Sequence, residues 1–217
     1  MEKKATYISI LLSIFVIISV IGFFSHQTNP KNNVDTYRED FNEKPLKSEY
    51  WDNFTFIHID NNWTNYESFG WLKGEGTFSK PYRIENMTIN ATNSPTGSGI
   101  YIENSNSTYF IIQNCTVFNS GNQTHDAGIK IENCTKGIIR NNNCSFNKGN
   151  GIVLNDTCFN ITVFNNTAIS NDLAGIYLDH NCKNNSILSN QAISNLGYGI
   201  RLRYARNNTI SNNTASF

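Results

Sequence analysis

Gly99-Ile100-Tyr101-Ile102, Gly128-Ile129-Lys130-Ile131, Gly151-Ile152-Val153-Leu154, Gly175-Ile176-Tyr177-Leu178 and Gly199-Ile200-Arg201-Leu202 are one phrase written five times. Each reads glycine, isoleucine, a variable residue, then isoleucine or leucine, and the steps between glycines are 29, 23, 24 and 24 residues. A fixed period in this range marks stacked supersecondary units, each too small to bury its apolar face alone. Within the phrase the first and third residues after glycine are always apolar while the second varies. This is the period-two pattern of a short strand with one face buried.

Laying the repeats under one another gives further columns. An apolar column is read at Ile111, Ile139, Val163, Ile187 and Ile210, followed by asparagines at Asn114, Asn142, Asn166, Asn190 and Asn213. A small-residue column follows at Thr116, Cys144, Ala168, Ala192 and Ala215, then a second asparagine column at Asn119, Asn147, Asn171 and Asn195. Several short strands per period, with no helical signal, suit one turn of a parallel β-solenoid. Each strand then pairs with its counterpart one turn later, about 4.8 Å away, so identical residues stack. Asparagine tolerates left-handed corners, and its amide can donate to the next amide in the stack. The asparagine columns are therefore read as structural.

The pattern GIxL…NN-I-x-x-N-x-A-x-x-N over residues 98–217 resembles the right-handed parallel β-helix repeats of NosD-like proteins, part of the broader carbohydrate-binding and sugar-hydrolase-type group. The resemblance implies an all-β, right-handed solenoid of about five turns of ~24 residues. It leaves function open, because this shape carries lyases, hydrolases, epimerases, adhesins and accessory proteins alike.

The rest of the chain sorts around the repeats. Residues 1–4 carry Lys3 and Lys4, and Ala5–Phe24 is an uncharged run of 20 residues. At about 1.5 Å per residue it would span a bilayer core of roughly 30 Å. Residues 1–25 are thus expected to form a transmembrane signal anchor, with a cleaved signal peptide as the alternative. The basic flank would keep the N-terminus in the cytoplasm and place the C-terminal domain outside a single-pass cell membrane. Residues 26–48 read as a polar tether and residues 49–97 as an aromatic-rich cap holding all three tryptophans. Those rings would either plug the first repeat or form a platform for sugars.

Lys+Arg equals Asp+Glu at 17 each and charged residues make up only 16%, so the chain lacks the basic footprint of a nucleic-acid binder. Five cysteines are present, and Cys134, Cys158 and Cys182 fall in one column between Ser105 and Ala205. That column is a slot for small side chains, an inter-turn disulfide or a soft-metal site. The copper reading follows only from the NosD-like resemblance, since no C-x-x-C, His-rich or Met-rich stretch supports it. No resident metal or cofactor is assigned.

The variable position of each phrase, with the residue two further on, makes an outward ribbon. Its candidate ligand-binding residues are Tyr101, Glu103, Lys130, Glu132, Tyr177, Asp179, Arg201 and Arg203. It is either plain solvated surface, a glycan-binding face or an active site whose acids would be Glu103, Glu132, Asp156 or Asp179. No Asp-Asp pair, Asn-Thr-Asp or Arg-Ile-Lys matches the polygalacturonase-type pattern. A loop inserted between Asn119 and Gly128 carries His125 followed by Asp126, a weaker candidate. N-x-S/T sequons recur, among them Asn53, Asn106 and Asn207, and would be glycan acceptors where exposed. The last repeat stops short of a new Gly-Ile, which reads as a longer solenoid cut short or an edge that meets a partner. The reading is a membrane-anchored, extracytoplasmic and non-catalytic module that recognises glycans or other envelope proteins. A carbohydrate-active enzyme and a copper accessory protein are the rivals.

Overall fold

The computed structural model describes residues 51–216. The expected membrane span and tether lie outside these residues. Among the described residues no helix is long and apolar enough to cross a membrane.

The chain coils through three parallel sheets. The first is formed by Ile57–Asp60, Ile100–Glu103, Ala127–Glu132, Asn150–Asn155, Ala174–Leu178 and Tyr198–Leu202, each hydrogen-bonded to its predecessor. Its register stacks Ile57, Ile100, Ile129, Ile152, Ile176 and Ile200 in one inward row. The second sheet runs from Tyr82–Glu85 to Thr209–Ser211, with Leu72–Lys73 added antiparallel at its N-terminal edge. The third, around Met87–Asn90, Thr116–Phe118, Gln191–Ile193 and Thr214–Ser216, is carried through its middle by single bridges at Asn143 and Thr167.

There are six turns, not the five given by the glycine phrase. The additional one comes from the aromatic-rich segment, where Ile57-His58-Ile59-Asp60 pairs residue for residue with Ile100-Tyr101-Ile102-Glu103. It lacks the Gly-Ile opening, and a detour between Asp60 and Tyr82 separates its strands. That detour includes the 3-10 turn Trp63–Tyr66. Trp63 enters the core, stacks on Tyr82 with centroids 5.0 Å apart, and donates its indole N–H to Ser105 Oγ at 2.9 Å. Trp63 also packs on Phe110 of the first repeat, with centroids 5.5 Å apart, so that Trp63, Tyr82 and Phe110 are buried together.

The inward asparagines form ladders. Asn142, Asn166 and Asn190 each donate both backbone N–H and Nδ2 to the side-chain oxygen of the asparagine one turn on, at 2.8–3.0 Å. Each Nδ2 also reaches a core-strand carbonyl, at Ile112, Ile139 and Val163 respectively. Asn147, Asn171 and Asn195 form the second ladder. A third, unanticipated one joins Asn185 to Asn208. The ladder Nδ2 atoms of Asn142, Asn147, Asn166, Asn171, Asn185, Asn190 and Asn195 each have an acceptor, which is what makes burying a polar corner tolerable.

In the first repeat the columns sit one residue later than the alignment placed them. Ile112, not Ile111, pairs with Ile139. Cys115 takes the ladder position and bonds Asn142 Oδ1 through its N–H at 2.9 Å, while Val117 and Ser120 replace Thr116 and Asn119. Asn114 is exposed at a left-handed corner (φ 54°), in the place that Asn141 holds one turn later (φ 56°). The first repeat has a longer first corner, so counting from its glycine misses by one.

The phrase glycines have no left-handed requirement; they are small because the third corner closes against them. A Cβ on Gly151 would lie 2.6 Å from the Gly175 carbonyl oxygen and 2.8 Å from Ala168 Cβ. The matching column of alanines answers the same constraint from the other side. The five cysteines are free and buried. Cys134 and Cys158 direct their thiols at backbone carbonyls at 3.1 and 3.2 Å, inside the core. Burial pushes the Cys134 thiol up to about 12 and the Cys158 thiol well up, whereas the hydrogen bond with Cys158 brings the Cys182 thiol below its ordinary value.

Candidate functional site: two carboxylate–tyrosine–histidine clusters

The ribbon exists as a register column. His58, Tyr101, Lys130, Val153, Tyr177 and Arg201 succeed one another on the outer side of the first sheet. Two residues on, Asp60, Glu103, Glu132 and Asn155 do the same. The ribbon is not one continuous wet face. It separates into two clusters built from the same parts.

In the N-terminal cluster, Tyr101 donates its hydroxyl to Glu103 Oε2 at 3.0 Å, two residues along the same strand face. His58, one turn below, lies parallel on the Tyr101 ring at 4.8 Å and places Nε2 2.7 Å from Glu103 Oε1. Lys130, one turn above, covers the ring's other face at 4.3 Å and pairs with Glu132 at 2.6 Å. Burial pushes the Glu132 carboxyl up, but Lys130 outweighs it and holds the group below its ordinary range. Burial, joined by Glu132 and Glu103, drives the Tyr101 phenol far upward. A general acid needs a raised carboxyl, and Glu132 is moved the other way.

In the C-terminal cluster, Tyr177 hydrogen-bonds Asp179 Oδ2, again two residues along the strand. His125 stacks on Tyr177 at 5.7 Å with Nε2 3.0 Å from Asp179 Oδ2, and Arg201 lies over the Tyr177 ring at 4.8 Å. Here the histidine comes from the inserted loop, which crosses Val153 to reach a strand 54 residues further on. Asn150 Nδ2 ties the loop down by donating to the carbonyls of Thr124 and Asp126. A small second apolar cluster of Ala127, Val153, Ala174 and Tyr177 forms beneath it.

Asp179 is consequently fully buried, against the expectation of an outward, wet residue. Burial pushes its carboxyl up, yet the bonds from Tyr177 and His125 bring it below its ordinary range. His180 adds its backbone N–H to Oδ1 at 2.9 Å, while its Nδ1 stands 3.1 Å from Oδ2 and hydrogen-bonds Asn155 Oδ1 at 3.3 Å. Arg203 Nε stands 3.8 Å from Oδ1. Of the remaining suspects, Asp126 accepts from the Gln123 N–H and closes its own loop, and Asp156 sits exposed at a corner with φ 45°.

All eight candidate ribbon residues thus take part in the two clusters, while His58, His125 and His180 were not expected there. His58 had a signal: it holds the variable position of Ile-His-Ile-Asp, in phase with Tyr101. His180 had one too, as the reversed pair Asp179-His180. The target of His125 had none, because a loop's landing point is not written in a period.

Beside the N-terminal cluster a cleft of about 470 Å³ opens, walled by Trp51, Phe54, Phe56, Tyr66, Phe69 and Trp71, with His58 on its lining. Phe69 is 52% exposed and Phe56 38%. Trp71 is buried behind them, edge-on to Phe54 at 6.3 Å. Tyr66 fixes the wall by donating its hydroxyl to the His58 carbonyl at 3.0 Å.

A family model described as the right-handed beta helix region matches residues 58–216, about three quarters of the chain. No curated protein and no solved structure matches it. The match begins at His58, in the turn that lacks the glycine phrase, and parallel pairing begins one strand earlier, where Trp51–Phe54 joins Met87–Asn90. The chain belongs to the right-handed β-helix family.

Proposed function

We propose that this β-helix is a non-catalytic carbohydrate-recognition module, held at the outer side of a cell membrane by the apolar segment at its N-terminus. Within the family, the repeat wording supports a NosD-like, carbohydrate-binding type. The observation that carries the reading is the aromatic cleft sharing His58 with Glu103. A pyranose has apolar C–H faces and a hydroxyl rim. Exposed rings next to a fixed histidine–carboxylate–lysine array offer a surface for each. The carboxylates argue for recognition over hydrolysis. Glu103 is shared between His58 and Tyr101, and Glu132 is held charged by Lys130.

The test is a titration of the full-length chain in detergent against a panel of neutral and acidic oligosaccharides, followed by tryptophan fluorescence. Saturable binding is expected, weakened about tenfold or more by Trp51→Ala or Phe69→Ala. Absence of binding across the panel, or binding untouched by both variants, would overturn the reading. Released products that disappear in Glu103→Gln would replace it with an enzyme.

A further inference from the structure

The C-terminal cluster has one part more than its N-terminal counterpart, and that part is a second imidazole. At Glu103 the donors are shared out, His58 on Oε1 at 2.7 Å and Tyr101 on Oε2 at 3.0 Å. At Asp179 three groups converge on the single atom Oδ2: the Tyr177 hydroxyl, His125 Nε2 at 3.0 Å and His180 Nδ1 at 3.1 Å. A carboxylate oxygen has two lone pairs, and Tyr177 and His125 occupy both of them. His180 Nδ1 therefore stands beside Oδ2 without bonding it, and hydrogen-bonds Asn155 Oδ1 at 3.3 Å instead.

We propose that His125, Asp179 and His180 form a binding site for a divalent transition-metal ion of the Zn²⁺ type. The three donor atoms lie within 4.8 Å of one another. Zn²⁺ holds nitrogen and oxygen donors at roughly 2.0–2.2 Å, which sets neighbouring donors about 3–3.4 Å apart. The separations of 3.0 and 3.1 Å from Oδ2 match this spacing, and the two imidazole nitrogens, within 4.8 Å of each other, draw together on the ion by rotation of the exposed His180 ring. With an ion among them, both imidazoles turn lone pairs toward it. Oδ2 then uses one lone pair for the metal, in place of the His125 hydrogen bond, and keeps the other for Tyr177.

Two imidazoles and one carboxylate are a borderline-soft set that suits Zn²⁺ better than Ca²⁺ or Mg²⁺, which take oxygen ligands. Tyr177 and the His180 N–H orient the carboxylate from behind, as outer-shell partners do in metal sites. Arg203 approaches the other oxygen, Oδ1, at 3.8 Å and leaves the metal-facing side clear. The side chains of His125 and His180 are 28% and 45% exposed, so the remaining coordination positions face solvent, toward water or a ligand. This site is independent of the aromatic cleft.

The experiment is calorimetric titration of metal-stripped full-length protein in detergent with Zn²⁺, repeated with Co²⁺ to read the visible absorption of the bound ion. One ion per chain is expected, with affinity lowered at least tenfold in His125→Gln and in His180→Gln, and binding lost in the double variant. His58→Gln and Cys158→Ser should bind like the parent. Circular dichroism of each variant confirms that the solenoid persists, and His180, at an exposed corner, provides a variant that spares the core. Failure to bind either ion would overturn the proposal. So would an affinity unchanged in the double variant, or one lost in Cys158→Ser while His125→Gln binds normally.

Discussion

The two clusters on the outer face of the first sheet share a plan and differ in setting. Each has a tyrosine bonded to a carboxylate two residues on, a histidine lying on the ring and bonded to that carboxylate, and a cation over the ring's far side. The N-terminal version takes its histidine from the turn below and leaves Glu103 partly exposed, at 21% of its side chain. The C-terminal version takes its histidine from the inserted loop, and Asp179 is sealed at 0%. The solenoid register supplies all four parts in the N-terminal cluster and three of the four in the C-terminal one. The loop alone decides whether the fourth closes the site, so the same side chains become a half-open recognition face in one place and a buried polar core in the other. Charge follows the same division. Glu103 and Glu132 outnumber Lys130 at one end, while Arg201 and Arg203 outnumber Asp179 at the other.

The comparison is tested hardest by removing each carboxylate's charge. Asp179→Asn leaves His125, His180 and Tyr177 facing an amide in a closed site, and breaking a buried charged network costs about 3 kcal/mol. Glu103→Gln, with water able to replace the lost partner, should cost about 1 kcal/mol or less. Urea unfolding of both variants checks the ordering; equal losses would mean that the loop does not seal Asp179 in solution.

Taking away the histidines asks the same question from outside. His125→Ala removes a hydrogen bond to a charged group, worth roughly 1.5–3 kcal/mol, and uncovers Val153 and Tyr177. Amide exchange at Val153 and Tyr177 should speed up. His58→Ala should leave exchange in Tyr101–Glu103 nearly unchanged, because Ile57 and Ile59 on the same strand stay packed inside.

Acid should expose both sites through their carboxylates. Asp179 and Glu132 are each held below their ordinary values, so the stability they contribute is complete above their unfolded pKa values, about 4. It is lost as pH falls through the lower folded values. Asp179→Asn should therefore flatten the acid limb of a stability–pH profile below about pH 4. In alkali the sign reverses. Burial raises both Tyr101 and Tyr177, so their contribution is present below about pH 10 and fades only above it. Phenolate absorbance should show both ionising later than a free tyrosine, ordinarily at about pH 10, with Tyr101→Phe and Tyr177→Phe identifying the late components.

Much of this organisation is legible in the sequence, because a solenoid writes its register as a period. Tyr101, Lys130, Tyr177 and Arg201 share a phase, and stacking makes them neighbours before any coordinate is seen. The inner asparagines are legible for the same reason. What the period loses is whatever breaks it. The first turn hides behind the detour from Asp60 to Tyr82, and a corner one residue longer shifts the columns of the first repeat, putting Cys115 where Asn114 was expected. The burial of Asp179 is set by a loop that lands two turns away from where it leaves. Alternation reports which side of a strand a residue faces; it is silent on what covers that side.

The smallest difference between the clusters is the cation over each ring. Lys130 lies 4.3 Å above Tyr101 and is tied to Glu132, whereas Arg201 lies 4.8 Å from Tyr177 and 5.1 Å from the half-exposed ring of Tyr198. A cation on a partly exposed ring contributes about 0.5–1 kcal/mol, so Lys130→Met and Arg201→Met should each lower stability by about that much. Their salt responses should differ. Lys130 also neutralises Glu132, and its removal leaves a carboxylate one turn from Glu103, so the loss should shrink when salt screens the pair. Among the described residues Arg201 has no ion-paired carboxylate, and its loss should stay nearly constant from low to high salt. Equal salt dependence in the two variants would mean that the charge division along the ribbon has no energetic weight, and that the clusters differ by burial alone.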